Sequence, residues 1–432
     1  MFKSFRKRLV KMTVGVCTGA LLAACLGGCG SEKKEVVEED KFTPSLDTEV
    51  ATSLEIAGFM ANFEALDQVV NDFNEYYPNV TITYEQNDTN SLVDYLANNS
   101  YVDVFMTNVA NVSADAPEGA GVLDDCLDLA KEDIDVSAVD SKLLQSCAVD
   151  GKLVRIPVAK TMCGMVVNKT LLEKEGLEIP ETYKEFLDAC EALKQKGYTP
   201  IQSSRYHACS DMVLPMAMNI LGNDEELTAK VLAGDDSFAD SLKPVYERLS
   251  KFIENGYMSS SVNETYPDDN YDGAILTFFE GDVPFWIANT ESVSGMKKRE
   301  SKSETFAASP FEYEFVNVPL GDDGVYDYEE PWYGFSVNKN GDNVDYAVEF
   351  MRFLSQESEL NKLAEIKGMP SVTTNNNDIR FNNALNPEKC AGRYVYDGQL
   401  SSVNSIICDT ANKMGYGDIT TVDEAIDMIK GR

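Results

Sequence analysis

Residues 53–106 open with Ser53-Leu54-Glu55-Ile56-Ala57-Gly58-Phe59, continue as Phe63-Glu64-Ala65-Leu66-Asp67-Gln68-Val69-Val70-Asn71-Asp72-Phe73-Asn74-Glu75-Tyr76-Tyr77-Pro78, and close on Val80-Thr81-Ile82-Thr83-Tyr84 and Val102-Asp103-Val104-Phe105-Met106. Phe63, Leu66, Val69, Val70, Phe73 and Tyr77 recur at helical spacing, and Pro78 stops the helix. The flanking runs are short, β-rich and partly alternating, and Ser91 to Asn98 supplies a second helical stretch. Strand, helix, strand, helix, strand with short links implies a parallel sheet with right-handed crossovers, so the body is α/β.

The pattern continues outward. Leu153 to Val158 and Met165 to Asn168 read as strands, and Pro180-Glu181-Thr182 starts a helix running through Lys196, with Thr182 and Glu185 at capping-box spacing. Further helices are expected at Asp240 to Asn255, Val344 to Ser355 and Thr421 to Ile429.

The amino terminus carries an address. Lys3, Arg6, Lys7, Arg8 and Lys11 precede an uncharged run, Met12 to Ala24, too short to stay as a membrane helix. Leu22-Ala23-Ala24-Cys25 and Leu26-Gly27-Gly28-Cys29 both resemble the bacterial lipobox, and a charged stretch, Ser31 to Lys41, follows. Cys29 is the expected lipidated residue, with Cys25 the alternative, because a polar tether should begin directly after the anchor. An ordinary cleaved signal with incidental cysteines is the plainer reading. The expected location is the outer face of the cell membrane, held by lipid alone.

With 72 acidic residues against 37 Lys and Arg, the net charge is −35. Such a surface repels nucleic acid and anionic headgroups. Outside the leader there are seven cysteines, an odd number without metal spacing; Cys126 with Cys147 is the disulfide to test first, and scattered free thiols fit as well. A single histidine, His207, leaves catalytic triads and multi-His metal sites poorly supplied, and no GxSxG, HExxH or phosphate loop occurs. Asp268-x-Asn270-x-Asp272-Gly273 opens like a calcium loop, but Phe279 stands where the bidentate Glu belongs, so it reads as a polar turn. No cofactor or metal is expected.

Several landmarks then fall in order. Phe73 to Val80, Tyr101 to Met106, Asp150-Gly151-Lys152-Leu153 with Ile156-Pro157, and Val166-Val167-Asn168-Lys169 come first. Pro180 to Phe186 with Lys196-Gly197-Tyr198-Thr199-Pro200, Phe279 to Phe285, Gly334 to Val337 and Ala347 to Leu354 follow. Together they resemble the extracellular sugar-binding proteins of ABC importers, the family that includes maltose-binding protein, over roughly residues 50 to 370. Val102 stands where that family usually has Pro, Val167 where it has an aromatic, and Tyr183 where it has Trp.

The resemblance implies a two-lobed, periplasmic-binding-protein-like α/β fold with a hinge and an interlobe ligand cleft. Residues 1–28 would be the signal peptide, 29–48 the tether, 50–157 plus 320–370 lobe one, and 160–317 plus 373–432 lobe two. It implies a monomer that binds a mono- or oligosaccharide and passes it to separate permease subunits. A lipid-anchored glycoside hydrolase is the alternative. Expected ligand contacts lie at strand ends and hinge crossings: Gly58, Phe59, Thr107, Asn108, Lys160, Thr161, Tyr206, His207, Asn289, Glu291, Trp332 and Tyr333. Glu291 stands where a stacking Trp would be expected, against maltodextrin as the ligand. Tyr326 to Glu330 reads as an acidic loop, with Trp332 as an exposed stacking platform and Tyr333 pointing to the opposite side.

Overall fold

Thr52–Gly58 (β1) buries Leu54, Ile56 and Ala57 and pairs in parallel with Val80–Gln86 (β2), from Thr52 opposite Val80 to Gly58 opposite Gln86. Val104–Thr107 (β3) flanks β1 on the other edge, also in parallel. The helix between β1 and β2, Glu64–Tyr76, buries Ala65, Leu66, Val69 and Phe73 and packs on the helix Glu357–Lys367. The three strands read in residues 53–106 are therefore three of the five strands of the first sheet. The computed structural model describes residues 41–60, 63–87, 91–112, 121–203, 208–258, 271–375 and 390–431, of which those from Pro44 onward form one unit.

A small hairpin, Ala148–Val149 (β4) with Lys152–Leu153 (β5), turns at Asp150 and Gly151, both at positive φ. Ile156–Pro157 (β6) closes the first sheet, and Lys160–Asn168 (β7) runs through the middle of a second one. The chain thus crosses between sheets at Val158 and Ala159. The second sheet gathers Ile201–Ser203 (β8), Phe285–Asn289 (β9), Tyr313–Val316 (β10), Val325–Pro331 (β11) and, after Gly334–Val337 (β12) has returned to the first sheet, Cys390–Val395 (β13). Strand orders are β2-β1-β3-β12-β6 and β13-β11-β7-β9-β8, with β10 beside β7. Gly164 permits that last pairing, since a Cβ there would collide with the Val316 carbonyl and the Phe315 ring.

One boundary moves. The sequence places the return to lobe one at residue 320, but β11 pairs with β7 and β13 in the second sheet, and the chain rejoins the first only at Gly334. Tyr326 to Glu330 is correspondingly strand, not loop, and Asp327 and Glu329 are buried in it. An acidic run reads as solvated until cations far away in sequence are seen to neutralise it.

Local signals elsewhere match. Thr182 and Glu185 form a capping box on Tyr183–Gln195, and Thr421 and Glu424 form another on Val422–Lys430. The expected 240–255 helix starts as a 3-10 turn, Asp236–Leu242, before Lys243–Glu254. Phe186, Leu193, Tyr246, Phe252 and Phe285 lie in the core packed on the second sheet. All seven body cysteines are free thiols; Cys126 donates to the Val122 carbonyl (3.3 Å) instead of bonding to Cys147. No helix among the described residues is long and apolar enough to cross a membrane. Cys25 and Cys29 lie outside them.

Candidate functional site

β1, β3 and β6 end at Gly58, Thr107 and Pro157, beside the start of β12, while β9 and β11 end at Asn289 and Pro331 beside the start of β7. Crevices at the carboxyl ends of strands are where open α/β sheets hold ligands. Here a cavity of about 610 Å³ lies between elements of the two sheets. Met60, Phe63, Ile366 and Lys367 line one wall; Asn289, Glu291, Ser294 and Lys298 line the other. Its size is ordinary for a small-molecule site.

Of the expected contacts, Asn289 and Glu291 line this cavity. Asn289 also accepts from the Ser292 N–H (3.0 Å), capping the helix Thr290–Ser294. Phe59 and Tyr333 sit ring to ring at 5.5 Å, both partly exposed. Thr161 is half-buried opposite Glu330 in the β7–β11 ladder, and Asn108 bonds reciprocally with Asn111. Gly58 is packed so closely on the Tyr84 hydroxyl and the Met106 sulfur that a Cβ there would have to displace them.

Two expected contacts are committed elsewhere. Thr107 is fully buried with its hydroxyl on Ser336 (2.9 Å), and Lys160 is buried in an ion pair with Glu329 (2.9 Å). Trp332 is only 5% exposed, held among Phe63, Tyr333 and the Lys367 ammonium, which stands 5.0 Å above its ring. It is a packed residue, not an open platform, and the Trp332 and Tyr333 rings meet at 5.1 Å instead of facing apart. The segment bends between β11 and β12, so strand alternation does not govern it. Tyr206 and His207 lie outside the described residues, as do Asp268 and Asn270 of the calcium-like run; Asp272 of that run pairs with Arg299.

Sequence reasoning did not single out Lys298, Lys367, Met60 or Glu330. Lys367 ends a helix that, apart from its neighbour Ile366, is remote in sequence from the rest of the lining, and no local motif marks it. Glu330 has a partly buried carboxyl bonded by the Tyr328 hydroxyl (3.4 Å). Burial pushes it up to about 7, against Arg155 and that hydrogen bond, with Glu291 adding to the rise. Burial also raises the Tyr333 phenol, with Glu291 and Glu330 contributing, and lowers the Lys367 ammonium, with Glu291 opposing.

The Glu330 shift carries a stability prediction. A carboxyl whose folded pKa is raised stabilises fully below its unfolded value, and that contribution is lost as pH rises through the folded value. Between about pH 4.5 and 7 the wild type should lose up to ~3 kcal/mol from this group, at ~1.4 kcal/mol per pH unit. Glu330→Gln should flatten that part of the urea-midpoint profile; an unchanged profile would locate the loss elsewhere.

Beneath the site, Arg155 is fully buried and donates through Nη1 to the Thr107 and Trp332 carbonyls (3.1 and 3.3 Å), fixing the ends of β3 and β11–β12 together. Behind it, Glu329 binds Lys160 and, through both oxygens, Arg393 (3.0 and 2.6 Å). Arg393 also reaches Asp140, beside the first sheet, at 3.2 Å. Burial and neighbouring Glu329 raise the Asp327 carboxyl well above its ordinary value, against Lys160 and Arg393.

With this geometry in place, comparison defines the class. The model of the bacterial extracellular solute-binding protein family matches residues 57–359, and the chain belongs to that family. A curated protein of Rhizobium meliloti, described as a probable sugar-binding periplasmic protein, is 29% identical over 166 residues, 37% of this chain and 36% of that protein. The alignment thus spans about a third of that relative's length. Among solved structures, a family 1 extracellular solute-binding protein from Bifidobacterium longum subsp. infantis is 17% identical, covering 88% of this chain and 98% of that one, with a TM-score of 0.66. RafE from Streptococcus pneumoniae, ligand-free, is 16% identical with coverage of 90% and 98% and a TM-score of 0.68, and RafE has also been solved with raffinose. These structures share the two-lobed α/β fold.

Proposed function

We propose that this protein is a lipid-anchored extracellular receptor that captures a carbohydrate in the cavity between its two sheets and delivers it to the permease of an ABC importer. The observation that carries the reading is a cavity of about 610 Å³, at the carboxyl ends of strands from both sheets, in a chain of the solute-binding family. The lipobox-like Cys29, or Cys25, supports the anchor. The sugar-binding description of the Rhizobium relative and the raffinose complex of RafE support a saccharide. Capture closes the cleft by rotation about the crossings near Val158–Ala159 and Pro331–Tyr333, and the closed form is what the permease recognises. In this reading the lobes follow the two sheets, and the receptor acts as a monomer.

Titration calorimetry against mono- and oligosaccharides tests this, with peptides and polyamines as counter-ligands. At least one saccharide should bind and be recovered intact; binding only of peptides or polyamines would remove the carbohydrate. Release of shorter sugars would favour the glycoside hydrolase. Tyr333, more open than its buried neighbour Trp332, should present its face to a sugar. An aromatic face contributes roughly 0.5–1.5 kcal/mol beyond burial. Tyr333→Ala should therefore weaken saccharide binding about three- to ten-fold with little change in the melting temperature.

A further inference from the structure

The chain as a whole carries about two carboxylates for every cation, 72 against 37. The cavity reverses that ratio: four cations line it, Lys297, Lys298, Arg299 and Lys367, against two carboxylates, Glu64 and Glu291. Two of the cations are already engaged, Arg299 by Asp272 and Lys297 by Glu300 (3.0 Å). Lys298 and Lys367 are not: neither has a carboxylate at ion-pairing distance among the described residues. Lys298 stands on the helix Met296–Glu300, beyond β9, and Lys367 on Glu357–Lys367, packed against the first sheet's helix. They face the cavity from opposite walls.

We infer that the solute is an acidic saccharide, one that carries a carboxylate such as a uronic acid, and that Lys298 and Lys367 bind this group from the two walls. The inference rests on the carbohydrate reading above and names its substrate class. Lys367 is half-buried over the Trp332 ring, so its ammonium has given up part of its water, and Glu291 offsets that loss only from beyond ion-pairing distance. Burial lowers its pKa accordingly, and an incoming carboxylate would reverse the effect. Charge-assisted hydrogen bonds to such a group are about twice as strong as neutral ones. Closing the walls on a neutral sugar brings two ammonium groups together; closing them on an anion places a counter-charge between them. In a protein whose overall field repels anions, a local reversal is needed before an acidic solute can be held at all. Glu291, on the same cavity, is left to accept hydroxyl hydrogens.

The test is a matched pair: oligogalacturonate and glucuronate-containing oligosaccharides against their methyl esters, which keep every hydroxyl and lose the charge, titrated into the full chain. A sugar phosphate forms a third arm. The acid should bind at least ten-fold more tightly than its ester, and Lys298→Met and Lys367→Met should each shrink that ratio. Both lysines are partly or largely exposed, so unchanged melting temperatures should accompany the effect. Esters or neutral oligosaccharides binding as tightly as the acids would overturn the inference and leave the carbohydrate receptor standing. Preference for the phosphate over the uronate would overturn the carboxylate. Failure of every saccharide, charged or neutral, would remove both.

Discussion

Glu329→Gln is expected to destabilise the protein by about 3–5 kcal/mol, because it breaks a buried ion cluster and leaves the other members behind. Glu329 is buried on β11 and is the shared partner of Lys160 and Arg393. Removing its charge strands Lys160, which is also buried, and leaves Arg393 with Asp140 alone. Burial by itself would raise the Glu329 carboxyl; Lys160 and Arg393 outweigh it and hold it at about 2. A depressed carboxylate stabilises above its unfolded value and loses that contribution as pH falls through the folded one. The wild type should therefore weaken between about pH 4.5 and 2, and Glu329→Gln should lack the Glu329 share of that acid limb. Glu349 behaves alike: burial is outweighed by hydrogen bonds from Arg352, Ser45 and Tyr77, which hold it at about 2. Some of the limb therefore survives the substitution. Urea unfolding as a function of pH checks both points; a midpoint within error of wild type at pH 7 would show that the cluster does not hold the fold together.

Trp332→Ala is the second large effect, expected at about 3–5 kcal/mol in the ligand-free protein. Its indole is buried between Phe63 and Tyr333, with Lys367 above, and truncation opens a hole at the junction of β11 and β12. This reverses the sequence expectation of Trp332 as an exposed platform, whose truncation would spare the empty protein. Thermal unfolding of the ligand-free variant discriminates: a drop with Trp332→Ala and little change with Tyr333→Ala is the predicted pattern. The opposite pattern would restore Trp332 as the exposed platform.

These two sites also mark where the sequence stops being legible. Helical spacing from Phe63 to Tyr77, the alternation of Val80 to Tyr84 and the Thr182–Glu185 cap are local signals, and each became the element it announced. The order of landmarks carried the family. Asn289 and Glu291 could be placed at the cleft because they follow a recognisable strand. By contrast, Asp327 and Glu329 look solvated in a one-dimensional reading, since Lys160 and Arg393 lie far off along the chain. Thr107 and Lys160 stand at strand ends as expected, yet their side chains turn to partners in neighbouring strands, Ser336 and Glu329. Lys367 reaches the cavity only because its helix packs on the one after β1, a contact across about 300 residues that no spacing rule reports.

Small-angle scattering of the protein, alone and saturated with the tightest saccharide of the calorimetric panel, tests the receptor most directly. The account predicts a smaller radius of gyration with ligand, as the walls carrying Lys367 and Lys298 rotate together about the crossings. An unchanged radius at saturation, with the ligand bound, would contradict capture by closure between the two sheets.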